Sequence, residues 1–201
     1  MENKKLIKNA TIIDRILKIL QGFAAAGVIV SAVFIPLTLI FGEKVIASAD
    51  NLTVGELQFK LSGDMSSYLD MARIKSSIVV MLIGAILTAA AVWYCLRVLR
   101  EILAPMKEGQ PFASGMADKI RKLGWTVLAT GAIAEIGGMI TSVFELRAYQ
   151  LDKIVNREIV SGITFNYSFG LWFVFAALII FFLSYVFRYG EALQKESDET
   201  L

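Results

Sequence analysis

Hydrophobic and polar positions in this chain segregate into long blocks. Four stretches carry no Asp, Glu, Lys or Arg, with one exception: 19–42, 76–96, 123–144 (interrupted by Glu135) and 159–187. Each reaches the roughly 20 residues a helix needs to cross a hydrocarbon core about 30 Å thick. The last is longer than required and opens on the polar, β-branched "IVSGITFNYS", so its span is placed at 168–187. The pattern predicts an all-α integral membrane protein with four transmembrane helices in a bundle, residues 1–201 forming a single membrane domain. The spans are expected near 19–42, 76–96, 123–144 and 168–187. The first follows a basic segment and precedes "ASA" at 47–49, but its apolar run is much longer than the roughly 7 to 15 residues of a signal core. An uncleaved helix is expected.

Between the spans the pattern changes. In residues 4–20, "KKLIKNATIIDRILKIL", Leu6, Ala10, Ile13, Leu17 and Leu20 share one helical stripe, with Lys5, Lys8, Asp14, Arg15 and Lys18 off it. Residues 1–18 are therefore expected as an amphipathic helix lying on the membrane surface before turning into span one. The segments 52–63 and 157–168, "LTVGELQFKLSG" and "REIVSGITFNYS", mix β-branched and aromatic residues with polar ones. Each predicts a short extracytoplasmic strand, and the two could pair as a small cap.

Charge orients the layout. Thirteen of the twenty Lys and Arg residues fall in the N-terminal segment, the loop between spans two and three, and the tail 188–201, against seven on the other side. Cationic loops are retained in the cytoplasm, so both termini and the central loop are expected there. Trp93, Tyr94, Trp125, Tyr185 and Tyr189 would then gather at the inner interface, with Trp172 at the outer one. A formal net charge of +2 is too small to indicate nucleic-acid binding. The basic face instead suits anionic headgroups of the lipid bilayer.

Composition agrees with a membrane class, at 56% hydrophobic and 19% charged residues. It also narrows the chemistry. The chain has no His, removing the commonest general base and metal ligand, and its single cysteine, Cys95, can form no internal disulfide. Phosphate loops, nucleophile elbows and dinucleotide fingerprints are missing from the sequence, so no cofactor, no metal and no catalytic residue is indicated. A non-enzymatic protein is expected.

Glu135 is the candidate polar site. A charge at mid-span costs about 2.5 to 3.5 kcal/mol on insertion scales, so it should face other helices. Gly124, Gly131 and Gly138 recur every seven residues on its helix, and Ala134, Thr141 and Ser142 extend that small-residue side, which permits close helix approach. Ser31 and Thr88 lie at matching depth and are its expected hydrogen-bond partners. With no Lys or Arg at that depth, desolvation favours a protonated, hydrogen-bonded acid. A neutral tie between helices is preferred to a proton or cation site in a small transporter or channel subunit, because one isolated acid makes a poor relay.

The loop "EGQPFASGMADKIRKLGW" at 108–125 is a second candidate, for docking a protein partner through Gly109, Pro111 and Phe112. Pro111 restricts Gln110 to extended geometry, Gly109 frees the turn, and Ser114 is the expected N-cap of the next helix. That loop, together with Phe187, Gly190, Leu193, Gln194, Glu196, Asp198 and Thr200 in "FRYGEALQKESDETL", resembles the bacterial family known as domain of unknown function 2975. The resemblance implies four-helix bacterial membrane proteins, often encoded beside a small helix-turn-helix regulator. It implies no activity and carries over no catalytic residue. The expected role is regulatory or accessory, with the loop or the acidic tail, Glu191 to Glu199, meeting a partner; self-association is left open.

Overall fold

The computed structural model of the chain describes residues 2–47, 51–54, 57–60, 70–109, 113–149 and 168–199. In chain order these form α1 (Glu2–Ala47), β1 (Asn51–Val54), β2 (Leu57–Lys60), α2 (Met71–Lys107), α3 (Met116–Tyr149) and α4 (Trp172–Glu199). The architecture is all-α, built on four long apolar helices, with one small β-hairpin. All four helices are long and apolar enough to cross a bilayer. Their large aliphatic and aromatic side chains point outward: Phe23, Ile40, Phe175 and Phe182 are each 67% or more exposed. In water such a surface would drive aggregation; in lipid it is simply solvated. The protein is a multi-pass membrane protein.

α1 differs from expectation in one respect. It runs unbroken through residue 18 into the apolar run, with no turn onto a membrane surface. The packed side of its first half is also rotated: Ala10, Leu17 and Gln21 are buried, whereas Ile13 and Leu20 are 46% exposed. Asp14 belongs to the packed side. The apolar stripe missed it because a carboxylate can be buried once cations meet it, as they do here.

The chain folds as two compact units. The first comprises Met1–Gly27, Thr88–Ala134 and Gly170–Leu201. Its core is built on Ile102, Met116 and Ile120, against which Met106, Leu123, Ile180 and Phe187 pack. Consecutive helices touch in turn. α1 meets α2 where Gly27 faces Ala89, and α2 meets α3 where the Thr130 hydroxyl donates to the Ala91 carbonyl at 3.4 Å. α4 then seats Phe181 and Phe173 against Gly124 and Gly131 of α3, so closely that a Cβ on either glycine would collide with a ring. Two of the three glycines in the predicted stripe thus do admit another helix.

The second unit comprises Val28–Leu87 and Glu135–Phe169. Asp70 starts α2 by accepting from the amides of Ala72 and Arg73 at 3.1 and 3.3 Å, an N-cap that satisfies two orphan donors. Thr141 of α3 lies against Gly84 of α2, and the Lys75 stem lies against the buried Gly42 of α1. β1 and β2 pair antiparallel, Asn51 with Lys60 through Val54 with Leu57. The segment expected as one strand is therefore a hairpin folded on itself. Its signal was present in the sequence, where a glycine interrupts two runs rich in β-branched and aromatic residues. The second expected strand, at 157–168, lies outside the described residues except Ser168, which is in no regular element.

Candidate functional site

Polar side chains in the first unit collect at the end where α1 begins, α2 and α3 join, and α4 finishes. Asp14 and Gln21 stand seven residues apart on α1, and Arg100 and Lys107 stand seven apart on α2, so each pair lines one face across two turns. The faces interlock. Arg100 Nε donates to Asp14 Oδ1 at 2.9 Å and its Nη1 to Gln21 Oε1 at 2.8 Å, while Lys107 Nζ reaches Asp14 Oδ2 at 2.9 Å. Asp14 precedes the charge-free run that starts at Ile19. Hydrogen bonds from Arg100 and then Lys107 hold its carboxyl below the ordinary 3.8, against the opposing effect of burial.

A second set of charges joins α2, α3 and α4. Glu101 is shared by Arg97 at 3.4 Å and Lys122 at 3.5 Å, and Asp118 by Arg121 and Arg188, both at 3.1 Å. Two carboxylates are thus divided among four cations, leaving positive charge in excess. Beside them the buried Ser184 hydroxyl of α4 donates to the Ala117 carbonyl at 2.8 Å. The Ala117 amide donates in turn to Glu191 Oε1 of α4 at 2.7 Å. The start of α3 is therefore capped from another helix. Ser114, the expected cap, sits one position too early: α3 begins at Met116, after Gly115 at φ 80°.

A groove of about 780 Å³ lies between α2 and α3 in this unit. Its charged mouth is formed by Asp118, Arg121 and Lys122, its frame by Tyr94 and Trp125, and its floor by Ala91, Thr126, Ala129, Thr130 and Ile133. Two contacts fix the frame. Phe181 packs edge-on to Trp125 with centroids 5.2 Å apart, and the Lys122 ammonium sits 5.6 Å above the Tyr94 ring.

The residues singled out from sequence are scattered relative to this end. Glu135 and Ser31 are half-buried in the second unit, whereas Thr88 is half-buried in the first. Gly109 has φ 79°, a left-handed conformation suited to glycine, and it ends α2 with its amide donating to the Met106 carbonyl at 3.2 Å. Pro111 and Phe112 lie outside the described residues. Sequence reasoning missed the Asp14, Gln21, Arg100 and Lys107 network. Its trace was two seven-residue polar spacings, Asp14 to Gln21 and Arg100 to Lys107.

The family model described as "Protein of unknown function (DUF2975)" matches residues 60–201, well over half of the chain. The protein belongs to the DUF2975 family. No curated protein and no solved structure matches it. Within this DUF2975 protein the matched region takes in α2, α3 and α4, hence both shared carboxylates, the inter-helix cap and the groove. Asp14 and Gln21, on α1, precede it. Phe187, one of the residues carrying the family resemblance, packs on the Ile102, Met116 and Ile120 core.

Proposed function

We propose that this DUF2975 protein is a non-enzymatic accessory or regulatory protein of the bacterial inner membrane that acts by binding a protein partner at its basic end. Both termini face the cytoplasm in this reading, which the thirteen-to-seven split of Lys and Arg supports. One observation carries the interaction role. α4 stays helical past its apolar run to Glu199, and Tyr189 and Leu193, four residues apart on that extension, are 66% and 49% exposed. An apolar pair that starts at the inner interface with Tyr189 and runs past it to Leu193 is covered by no core and only partly by lipid, which suits a helix that receives a partner. Ionic ties among the helices at this end provide a stiff base for that extension.

A photo-crosslinking amino acid at position 193 in cells tests the reading, with position 29 in the apolar run of α1 as the lipid-facing control. A discrete protein adduct from 193 alone, lost in a Tyr189→Ser background, is the expected result. No adduct from 193, together with ion or proton flux in vesicles that Glu135→Gln abolishes, would replace the interaction role with transport.

A further inference from the structure

We infer that the groove between α2 and α3 is a binding site for one anionic phospholipid, its phosphate at Arg121 and Lys122 and one acyl chain along the floor. Length, charge and surroundings each support that occupant. From Lys122 at the mouth to Ile133 on the floor the groove follows eleven residues of α3, about 16 Å at the helical rise, which matches half of a hydrocarbon core about 30 Å thick. The groove therefore begins where the charge-free run 123–144 begins and ends near its middle, so it spans one leaflet. Small side chains line the slot at Ala91, Ala129 and Thr130, with Ile133 the residue farthest along α3 from the charged mouth. Thr126 and Thr130 donate their hydroxyls to the Leu123 and Ala91 carbonyls at 2.8 and 3.4 Å, so neither brings an unmet donor to the slot.

Charge at the mouth selects the headgroup. Asp118 is the acid lining the groove, and it is already divided between Arg121 and Arg188; Glu101 is likewise divided between Lys122 and Arg97. Arg121 and Lys122 keep roughly half their side-chain surface exposed, at 54% and 46%, so a phosphodiester can reach both without breaking either shared pair. Tyr94 and Trp125 flank that position at the depth where aromatic rings favour the headgroup boundary. A zwitterionic lipid would bring its own cation to a mouth with cations in excess, and so binds less well.

Native mass spectrometry of the full chain from nanodiscs of equal phosphatidylglycerol and phosphatidylcholine tests the site. One phosphatidylglycerol should be retained in preference to phosphatidylcholine, and inorganic phosphate at millimolar concentration should not displace it. Neutralising Arg121 and Lys122 together (Arg121→Gln, Lys122→Gln) should weaken that preference by about fivefold per charge. Ala129→Phe, which fills the slot and touches no cation, should lower retention of both lipids. Equal retention of the two lipids by the native chain overturns the assignment, as does displacement by free phosphate or a lipid-free dimer that holds the groove closed. If the double variant does not fold, Ala129→Phe decides alone: unchanged phosphatidylglycerol retention in that variant also overturns it.

Discussion

Gly131→Ala probes the helix packing most directly, because its outcome can be worked out beforehand. A Cβ at Gly131 would overlap Cβ and Cγ of Phe173, atoms held close to the α4 backbone, in a side chain only 5% exposed. No rotamer change moves those atoms aside, so α3 and α4 must separate. Overpacking of that kind costs about 1 to 3 kcal/mol. Replacing glycine inside a helix returns about 0.5 to 1 kcal/mol, leaving a net loss of up to about 2.5 kcal/mol. For a chain of this size each kcal/mol moves the melting temperature by about 2 to 4 °C. Gly137→Ala supplies the contrast, since a Cβ there meets nothing within 4 Å and should leave only the propensity gain. Gly124→Ala should fall between them: its Cβ would lie 2.5 Å from Cε1 of Phe181, the far edge of a ring that can swing. The lone cysteine provides the assay. Cys95 is half-buried, so a maleimide dye that fluoresces on thiol addition reports opening as detergent-solubilised protein is heated. A Gly131→Ala melt equal to or above that of Gly137→Ala would refute the packing argument, and Phe173→Ala, which removes the overlapping Cγ, should cost less in the Gly131→Ala background than in the native chain.

The same melt reads the remaining predictions. Asp14→Asn should lower stability by about 1 to 2 kcal/mol, a buried ion-pair loss reduced because Arg100 and Lys107 remain about one-third exposed. Since Asp14 is held below 3.8 in the folded state, its contribution is complete above pH 3.8 and disappears as pH falls through the lowered value. The native melt should drop across that acid range more steeply than the Asp14→Asn melt; parallel curves would contradict the assignment. Ser184→Ala should cost about 1 kcal/mol by removing the only hydroxyl donor to the Ala117 carbonyl among the described residues. Glu135→Gln should leave the melt close to the native one if Glu135 is a structural tie between helices, the amide being nearly isosteric; a marked fall would count against that role.

Much of the architecture was legible because lipid imposes a simple rule on sequence: long charge-free runs must close their own backbone hydrogen bonds, and helices do so locally. Glycine spacing on α3 also translated into close approach, since Gly124 and Gly131 do receive aromatic rings. Legibility failed where side chains cross between helices. Asp14 counted only as one of the polar residues off the apolar stripe, and Gln21 as part of the first span, until Arg100 and Lys107 came opposite them. Similarly, Ser114 satisfied every local rule for a cap, yet a carboxylate seventy-four residues away took the amide. Local rules rank the nearby solution first and are blind to a distant one. The groove was invisible for a related reason: it is made by the absence of bulk at Ala91 and Ala129, which sequence reading treats as filler.

That remote cap has a bearing on biogenesis. At translation rates of about 5 to 20 residues per second, the seventy-four residues between Ala117 and Glu191 take about 4 to 15 s to synthesise. Throughout that interval the newly inserted third segment must keep its leading amides hydrated at the bilayer surface. Emergence of Glu191 then becomes the event that seals it, so a premature stop codon before 191 would leave a protein inserted but never locked.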